Sequence, residues 1–522
     1  MSVSKMKKLL VVAPTDSADA VIKKLISLRC IDIRDALDCD GADILSRSDC
    51  DDNIVAIEER ISKIEAVRTA ILNSAHKKRG RFDKRAYVDR DEFISSGAYE
   101  TALATVDTVY ARLDESDLSE YIGELEKIEV LYDIEKTELC AAEIMGKSAH
   151  SKACTFISGW VPQKSLVSVE TALCEYLCAY ELCDPCEDDE PPVRLSGNVI
   201  TRCFEWITSD YALPKYRAFD PTLLMSIFCF IAFGLMLCDV GYGLILIPLG
   251  FVLPKVLGAR GRIKSAMNML GICGISSVIF GILFGGWFGN LPYAIMQEML
   301  WERTPELVAP VFGGVLYRPV EKPLWYLATV LGFGAIQIVV GMLIKFISLC
   351  KEGKAKDALF DILPWWVIFA GIVLAFAVNI IVGIAVAVVG VIFILIFAGR
   401  GEKKFGKRLL YGLRGLAAIG KYALNLAGYL KIFVVGISLG AITYYINMLG
   451  TLVGPTTVGY ILLVAVSIVC HGIFLLLNAH VACVIVSKLQ HHEFFRQFYT
   501  GGGEAFAPVE PSEEFTLSST KK

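Results

Sequence analysis

Between Tyr422 and Leu449 the chain reads YALNLAGYLKIFVVGISLGAITYYINML, and Lys431 is its only formally charged residue. A run of this length and apolarity matches the hydrocarbon core of a bilayer, about 30 Å thick. Inside lipid the backbone can satisfy its hydrogen bonds only as a helix or in a closed barrel. A charge well inside such a helix costs on the order of 2.5–3.5 kcal/mol on insertion scales, so it calls for a partner, a wet cavity or a function. Snorkelling relieves a lysine near a helix end, and Lys431 is set back from both ends of its run.

The same kind of run recurs. Hydrophobic residues make up 54% of the 522 and the mean hydropathy is +0.53, above the roughly 45–50% apolar share of ordinary soluble domains. The charged residues crowd into the first two hundred positions, which predicts a soluble N-terminal domain over 1–215, a membrane domain over 216–500 and a C-terminal tail over 501–522. Eight transmembrane helices are expected: Pro221–Leu237, Gly241–Val256, Met267–Gly289, Trp325–Leu349, Leu363–Ile380, Ile381–Ala398, Leu416–Leu449 and Val458–Lys488. The fifth and sixth run together around Asn379, so a re-entrant pair is the alternative there. Basic clusters at Lys255/Arg260/Arg262/Lys264, at Lys351/Lys354/Lys356 and at Arg400/Lys403/Lys404/Lys407/Arg408 fall on alternate loops, whereas 297–322 carries mixed charge. By the positive-inside rule both termini of this multi-pass integral membrane protein are expected in the cytoplasm. The opening MKKLLVV is followed at once by Asp16 and Asp19, which suits a strand better than a targeting segment.

Within the soluble part, KLLVV (8–12), a helix over Asp16–Leu28 and a strand over Cys30–Ile33 predict a first α/β lobe at about 1–50. Ile54, Ile57, Ile61, Ile64 and Ile71 then recur at helical spacing, and a second such pattern runs through Leu118, Ile122, Leu125, Ile128, Leu131 and Ile134, with RGRFDKR (79–85) between them. These predict a long antiparallel helical hairpin, or stalk, at about 51–145. ACTFISGWVP (153–162) and the helix after it give a second α/β lobe at about 146–186, and EDDEPP opens a linker at 187–215. The fold class expected is therefore an α-helical membrane protein preceded by an α+β domain. The 16 cysteines form no dense framework and suit free thiols in a reducing compartment. Cys174, Cys178, Cys183 and Cys186 could hold zinc, but without a second CxxC or a clustered histidine free thiols are the preferred reading.

Neither a phosphate-binding GxxxxGK[ST] nor an HExxH occurs, and no covalent active site, cofactor or metal is expected. Instead the apolar runs carry sparse polar groups: Asp239, Asn290, Gln337, Asn379, Lys431, His471, Asn478, His480 and Lys488. Such groups are by default parts of an ion or proton route, or else hydrogen-bond neighbouring helices. His471 and Asn478, seven apart, are expected to share a helix face. Asp239 sits between two spans, where a helix cap is the expected role, and His480, Asn290 and Gln337 are read as packing groups.

At these residues the chain resembles the membrane subunit a, or subunit I, of V-type and A-type ATPases, in its short prokaryotic form. The resemblance runs almost end to end, through SGWVP (158–162), FDPT (219–222), CDVGYG (238–243), FGILFGGWFGN (280–290) and EFFRQFYTGGGEAFAPV (493–509). It implies a stator that faces a rotating ring of proteolipid subunits (c/K), with peripheral stalk subunits (E/G type) and a central stalk d/C-type subunit as further partners, membrane lipid around it and no nucleic acid. Two half-channels would load and unload H+ or Na+ on ring carboxylates past a fixed cation, so the chain would be a non-catalytic subunit without a nucleotide site. The family places arginine at that cation, in a motif resembling SYxRLxALGLA, and a second in RLxxVEFF. Here the matching segments are GYLKIFVVGIS (428–438) and KLQHHEFF (488–495), with lysine at both positions. The implied ion path comprises Lys431, Lys488, His471, Asn478, Ser438 and Gln490, with Asp239, Asn290 and Gln337 as structural or pathway residues. A lysine is a point charge that loses its proton more readily than arginine when desolvated. A stand-alone secondary transporter with a regulatory domain, and an uncoupled scaffold subunit, are the alternatives.

Overall fold

The structure, a computed structural model, describes residues 3–36, 46–47, 51–76, 85–113, 118–186, 189–295, 315–400, 404–454 and 456–518. The basic stretch 79–84, the mixed-charge residues 296–314 and Lys403 lie outside them. The chain divides into two compact units, Met1–Ser196 with Gly502–Lys522, and Gly197–Gly501.

In the first unit β1 (Met6–Pro14) turns Leu9, Val11 and Ala13 inward at the two-residue period of a half-buried strand. Helix α1 (Ala18–Leu28) lays Val21, Ile22, Leu25 and Ile26 on the same core. Next in sequence are β2 (Asp32–Arg34) and β3 (Ser46–Arg47), then the helices α2 (Asp51–Ser74), α3 (Ala98–Tyr110) and α4 (Leu125–Lys147). Strands β4 (Ala149–His150) and β5 (Cys154–Pro162), the helix α5 (Leu166–Leu173) and β6 (Ala179–Cys183) follow. The sheet order is β3-β4-β5-β1-β6, with β2 also on β5, and every pairing is antiparallel. β1 runs against β5 from Met6 opposite Pro162 to Pro14 opposite Cys154.

The two segments expected to form separate lobes thus build one sheet. Two or three short strands with both edges open are marginal alone; zipping β1 between β5 and β6 closes its edges and completes the core. The helical part also departs from a simple hairpin. Ile64, Val67 and Ile71 of α2 pack with Ile128 and Leu131 of α4, but Ala102, Val106 and Val109 of α3 share that core, and α4 begins only after a short turn over Ser119–Glu124. Two buried carboxylates of α4 are answered from α2, Glu129 by Arg68 at 3.0 Å and Glu135 by Arg60 at 3.1 Å, as buried charge requires. Among the described residues no group of three or more His, Cys, Asp or Glu side chains gathers as a metal site.

In the second unit every predicted apolar run is helical. Among the described residues six helices are long and apolar enough to cross a membrane: Gly261–Phe284, Pro323–Lys351, Ala355–Ala377, Ile380–Phe397, Leu410–Gly450 and Thr457–Gln497. The first two runs are the shorter helices α6 (Thr222–Leu237) and α7 (Val240–Phe251). Their shortness has a local cause: Cys238 adopts left-handed backbone (φ 43°) and ends α6, and Asp239 at once starts α7. With 16 residues, α6 is about 24 Å long.

Helix α8 (Gly261–Phe284) packs on α7 through glycines. A Cβ at Gly250 would land on the Gly271 backbone, and one at Gly243 on Gly274 and Val278, the close approach that joins helices where no hydrophobic force does. After α9 (Pro323–Lys351), α10 (Ala355–Ala377) and α11 (Ile380–Phe397) are two distinct helices in an antiparallel pair, with Gly383 against Ala375 and Gly390 against Pro364. Asn379, between them, caps α11 by accepting from the Ile381 amide at 2.8 Å. The seventh run breaks at Tyr429 into α12 (Ala418–Gly428) and α13 (Leu430–Gly450). The last divides into α14 (Thr457–Val466) and α15 (Gly472–Leu489), joined by a π-turn over Ser467–His471 and followed by another over Gln490–Phe494.

Candidate ion-pathway site

Asp239 is fully buried. Its carboxylate accepts from three backbone amides, Tyr242 at 2.9 Å, Phe288 at 3.1 Å and Gly289 at 2.7 Å, and its carbonyl accepts from Ser277 Oγ at 2.8 Å. It caps α7 and pins the WFGN turn after α8, so that the CDVGYG and FGGWFGN segments, far apart in sequence, meet on one side chain. With these partners filled it is a staple.

The turn it fixes starts a chain of hydrogen bonds. Tyr242 Oη lies 2.7 Å from His471 Nδ1, and His471 Nε2 lies 3.0 Å from Asn447 Oδ1. Asn447 Nδ2 donates to Asn290 Oδ1 at 2.9 Å and to the Phe288 carbonyl at 2.8 Å. A neutral imidazole protonated on Nε2 satisfies every step, with the tyrosine hydroxyl donating to Nδ1. The π-turn that ends at His471 widens the helix at this ring, a distortion that recurs at functional sites. Four elements therefore converge through Tyr242, His471, Asn447 and Asn290. Next to it a cavity of about 210 Å³ reaches from Asp239 and Asn290 past Gly436 and Gly440 of α13 to Arg318 and Tyr444.

A second polar cluster lies around the Tyr429 break. Tyr429 Oη donates to Gln337 Oε1 at 3.1 Å, and Gln337 Nε2 donates to Gln490 Oε1 at 2.7 Å; all three side chains are fully buried. Around Tyr429 the backbone bonds are three residues apart, Tyr429 N to Leu426 O and Ile432 N to Tyr429 O, a tightened turn of the kind that marks strain or a hinge. Glu493, from the second π-turn, fits against this break because position 428 is glycine: a Cβ there would strike its carboxylate. Lys431 Nζ lies 4.0 Å from Glu493 Oε1, with side-chain exposures of 52% and 11%. The pair is thus half in, half out.

Lys431 points away from the core of the unit. Val434, Ser438, Ile442 and Tyr445 extend its exposed face along α13, and Ile473, Leu477, His480, Val484 and Lys488 are exposed along the last helix. Asn478, half-buried, donates to the Phe474 carbonyl at 2.8 Å. The structure thus brings Asp239, Asn290 and His471 together, pairs Gln337 with Gln490, and leaves Lys431, Ser438 and Lys488 on the outside. Asn447, Tyr242, Tyr429 and Glu493 belong to the site although the residue pattern did not single them out. Asn447 sits in the same apolar run as Lys431, and Glu493 is a lone acid at the end of the last one; those were the available signals. Tyrosine gives none, being an ordinary packing residue.

The model of the V-type ATPase 116 kDa subunit family matches residues 55–270. The A-type ATP synthase subunit I of Methanocaldococcus jannaschii is 28% identical over 424 residues, 76% of this chain and 60% of that protein. The chain is similar to the V-type and A-type ATPase subunit a/I family. Its similarity extends to the A-type ATP synthase subunit I of Archaeoglobus fulgidus, 26% identical over 416 residues, 69% of this chain and 59% of that one. The V-type ATP synthase subunit I of Borreliella burgdorferi is 22% identical over 356 residues, 64% and 55%. The chain thus spans somewhat over half the length of these subunit I relatives. By the six long apolar helices among the described residues, it is an integral membrane protein.

Proposed function

We propose that this chain is the stator membrane subunit of a rotary V/A-type ATPase, and that Lys431 is the fixed cation past which the carboxylates of a proteolipid ring release H+ or Na+. The observation that carries this reading is the placing of Lys431: a half-exposed ammonium on the outward face of an otherwise uncharged helix. Such a charge in lipid asks for an opposite charge in the membrane, and a passing carboxylate supplies one. Ser438 and Lys488 lie on exposed faces of the same two helices and would line the contact with the ring. The Tyr242–His471–Asn447–Asn290 chain and the cavity beside Asp239 are suited to one aqueous half-channel, and Asn478 and the Gln337–Gln490 pair to the other. In this reading all eight apolar helices span or enter the membrane, both termini are cytoplasmic, and residues 1–215 engage peripheral and central stalk subunits.

Reconstituted into vesicles with its complex, the Lys431→Ala variant is expected to lose ATP-driven ion uptake, while Lys431→Arg keeps it, because either cation can discharge a carboxylate. Uptake that survives Lys431→Ala would refute the assignment.

A further inference from the structure

Residues 512–516, within the first unit, lie along α4 as an extended strap centred on one carboxylate. Asp133 is fully buried. Its Oδ1 accepts from Ser512 Oγ and the Glu514 amide, each at 2.9 Å. Its Oδ2 accepts from the amides of Phe515 at 3.1 Å and Thr516 at 2.8 Å and from Thr516 Oγ1 at 2.7 Å. Five donors from four consecutive-range residues on one side chain is the way a receptor reads a bent peptide, with backbone amides wrapped on an anion. The flanks match in charge. Arg29 pairs with Glu513 and Lys136 with Glu514 at 2.8 Å, while Arg85 and Arg90 donate to the carbonyls of Glu513 and Ser512. Phe515 is the one apolar anchor: Tyr132 meets its ring edge-on at 5.0 Å between centroids, and the Arg68 guanidinium covers it at 3.9 Å.

The helices that supply this groove have a core of their own, made by Ile64, Val67, Val106, Val109, Ile128 and Leu131. The strap adds Phe515 at the edge of that core, a short parallel pairing of Thr516–Ser518 with Ala86–Val88, and the hydrogen bonds and ion pairs above. We propose that the groove along α4 is a binding site for an extended acidic segment with an aromatic anchor, of the type Ser-Glu-Glu-Phe-Thr, and that the chain's own tail occupies it as a releasable strap. A partner segment of the same chemistry would take the site by displacing the tail.

The test is hydrogen exchange on the full-length chain in detergent, combined with binding of a synthetic Glu510–Ser518 peptide. In Phe515→Ala the amides of residues 514–516 should exchange at least about tenfold faster while those of α2 and α4 keep their protection. The vacated groove should then bind the peptide, more weakly at high salt, and the wild-type chain should bind it less. Asp133→Asn places an NH2 group against the donors of one side of the strap; it should release the strap too, yet bind no peptide. Loss of protection throughout α2 and α4 in both variants would make the strap a structural element and overturn the proposal. So would unprotected 514–516 amides in the wild type, or peptide binding indifferent to Asp133.

Discussion

At position 431 an ammonium stands 4.0 Å from a mostly buried carboxylate while more than half its side chain remains accessible. An exposed pair of this kind is worth little in stability, about 0–1 kcal/mol, so its importance is positional: Glu493 holds one side of the lysine and leaves the other free. Glu493→Gln is therefore expected to change thermal stability by less than about 1 kcal/mol and to alter ion uptake instead, a contrast that melting curves and vesicle assays on one preparation would reveal. Asp239 is the opposite case. Asp239→Ala strands three buried amides and is expected to cost about 2–4 kcal/mol, read as a lowered melting temperature in detergent. Tyr242→Phe, which deletes a single hydroxyl and leaves His471 Nδ1 unpaired, should cost about 1–3 kcal/mol. Lys431 was legible in the sequence because a charge inside an apolar run has no ordinary explanation, and Asp239 because a lone aspartate between two such runs has a capping role to fill. Tyr242 and Tyr429 were not, since their hydroxyls find partners only through the packing of helices distant in sequence.

The helices themselves were the most legible elements, for apolar length translates directly into span. What the pattern could not convey is where a helix departs from regularity. The tightened turn at Tyr429 and the π-turns at Ser467–His471 and Gln490–Phe494 leave no mark in composition, yet they aim His471, Gln490 and Glu493. Glycine was a partial guide. Gly250 lies on the Gly271 backbone, so Gly250→Leu must push α7 and α8 apart, and overpacking of this kind costs about 1–3 kcal/mol or more. Gly332, with open space around it, is the matched control: the same substitution there should leave the melting temperature close to that of the parent chain.

Over the whole chain, the charge distribution marked off a soluble N-terminal α/β region, whereas the single sheet shared by residues 6–14 and 154–162 was not legible, because strand pairing at long separation has no local signature. That sheet carries a titratable weak point. Burial holds the Asp32 carboxyl above the usual aspartate range, with the Ala507 amide and Arg34 pulling it back. The folded chain then binds this proton more tightly than the unfolded one, so the ionised group costs stability at neutral pH, and the cost fades as pH falls through the folded value toward about 4. Asp32→Asn is accordingly expected to match or exceed the parent melting temperature at pH 7 and to lose the parent's gain on mild acidification.

The pairing of β1 with β5 also bears on synthesis. Among the described residues β1 pairs with β5 and β6, so everything from Thr15 to Ala153 must emerge before its edges can close. The helical core of α2, α3 and α4 is local and can form meanwhile, whereas closing so long a loop is slow. For that interval the apolar MKKLLVVAP strand is an open edge just when the apolar spans are still to come, and a chaperone that holds this segment would serve the chain better than one that holds its helices.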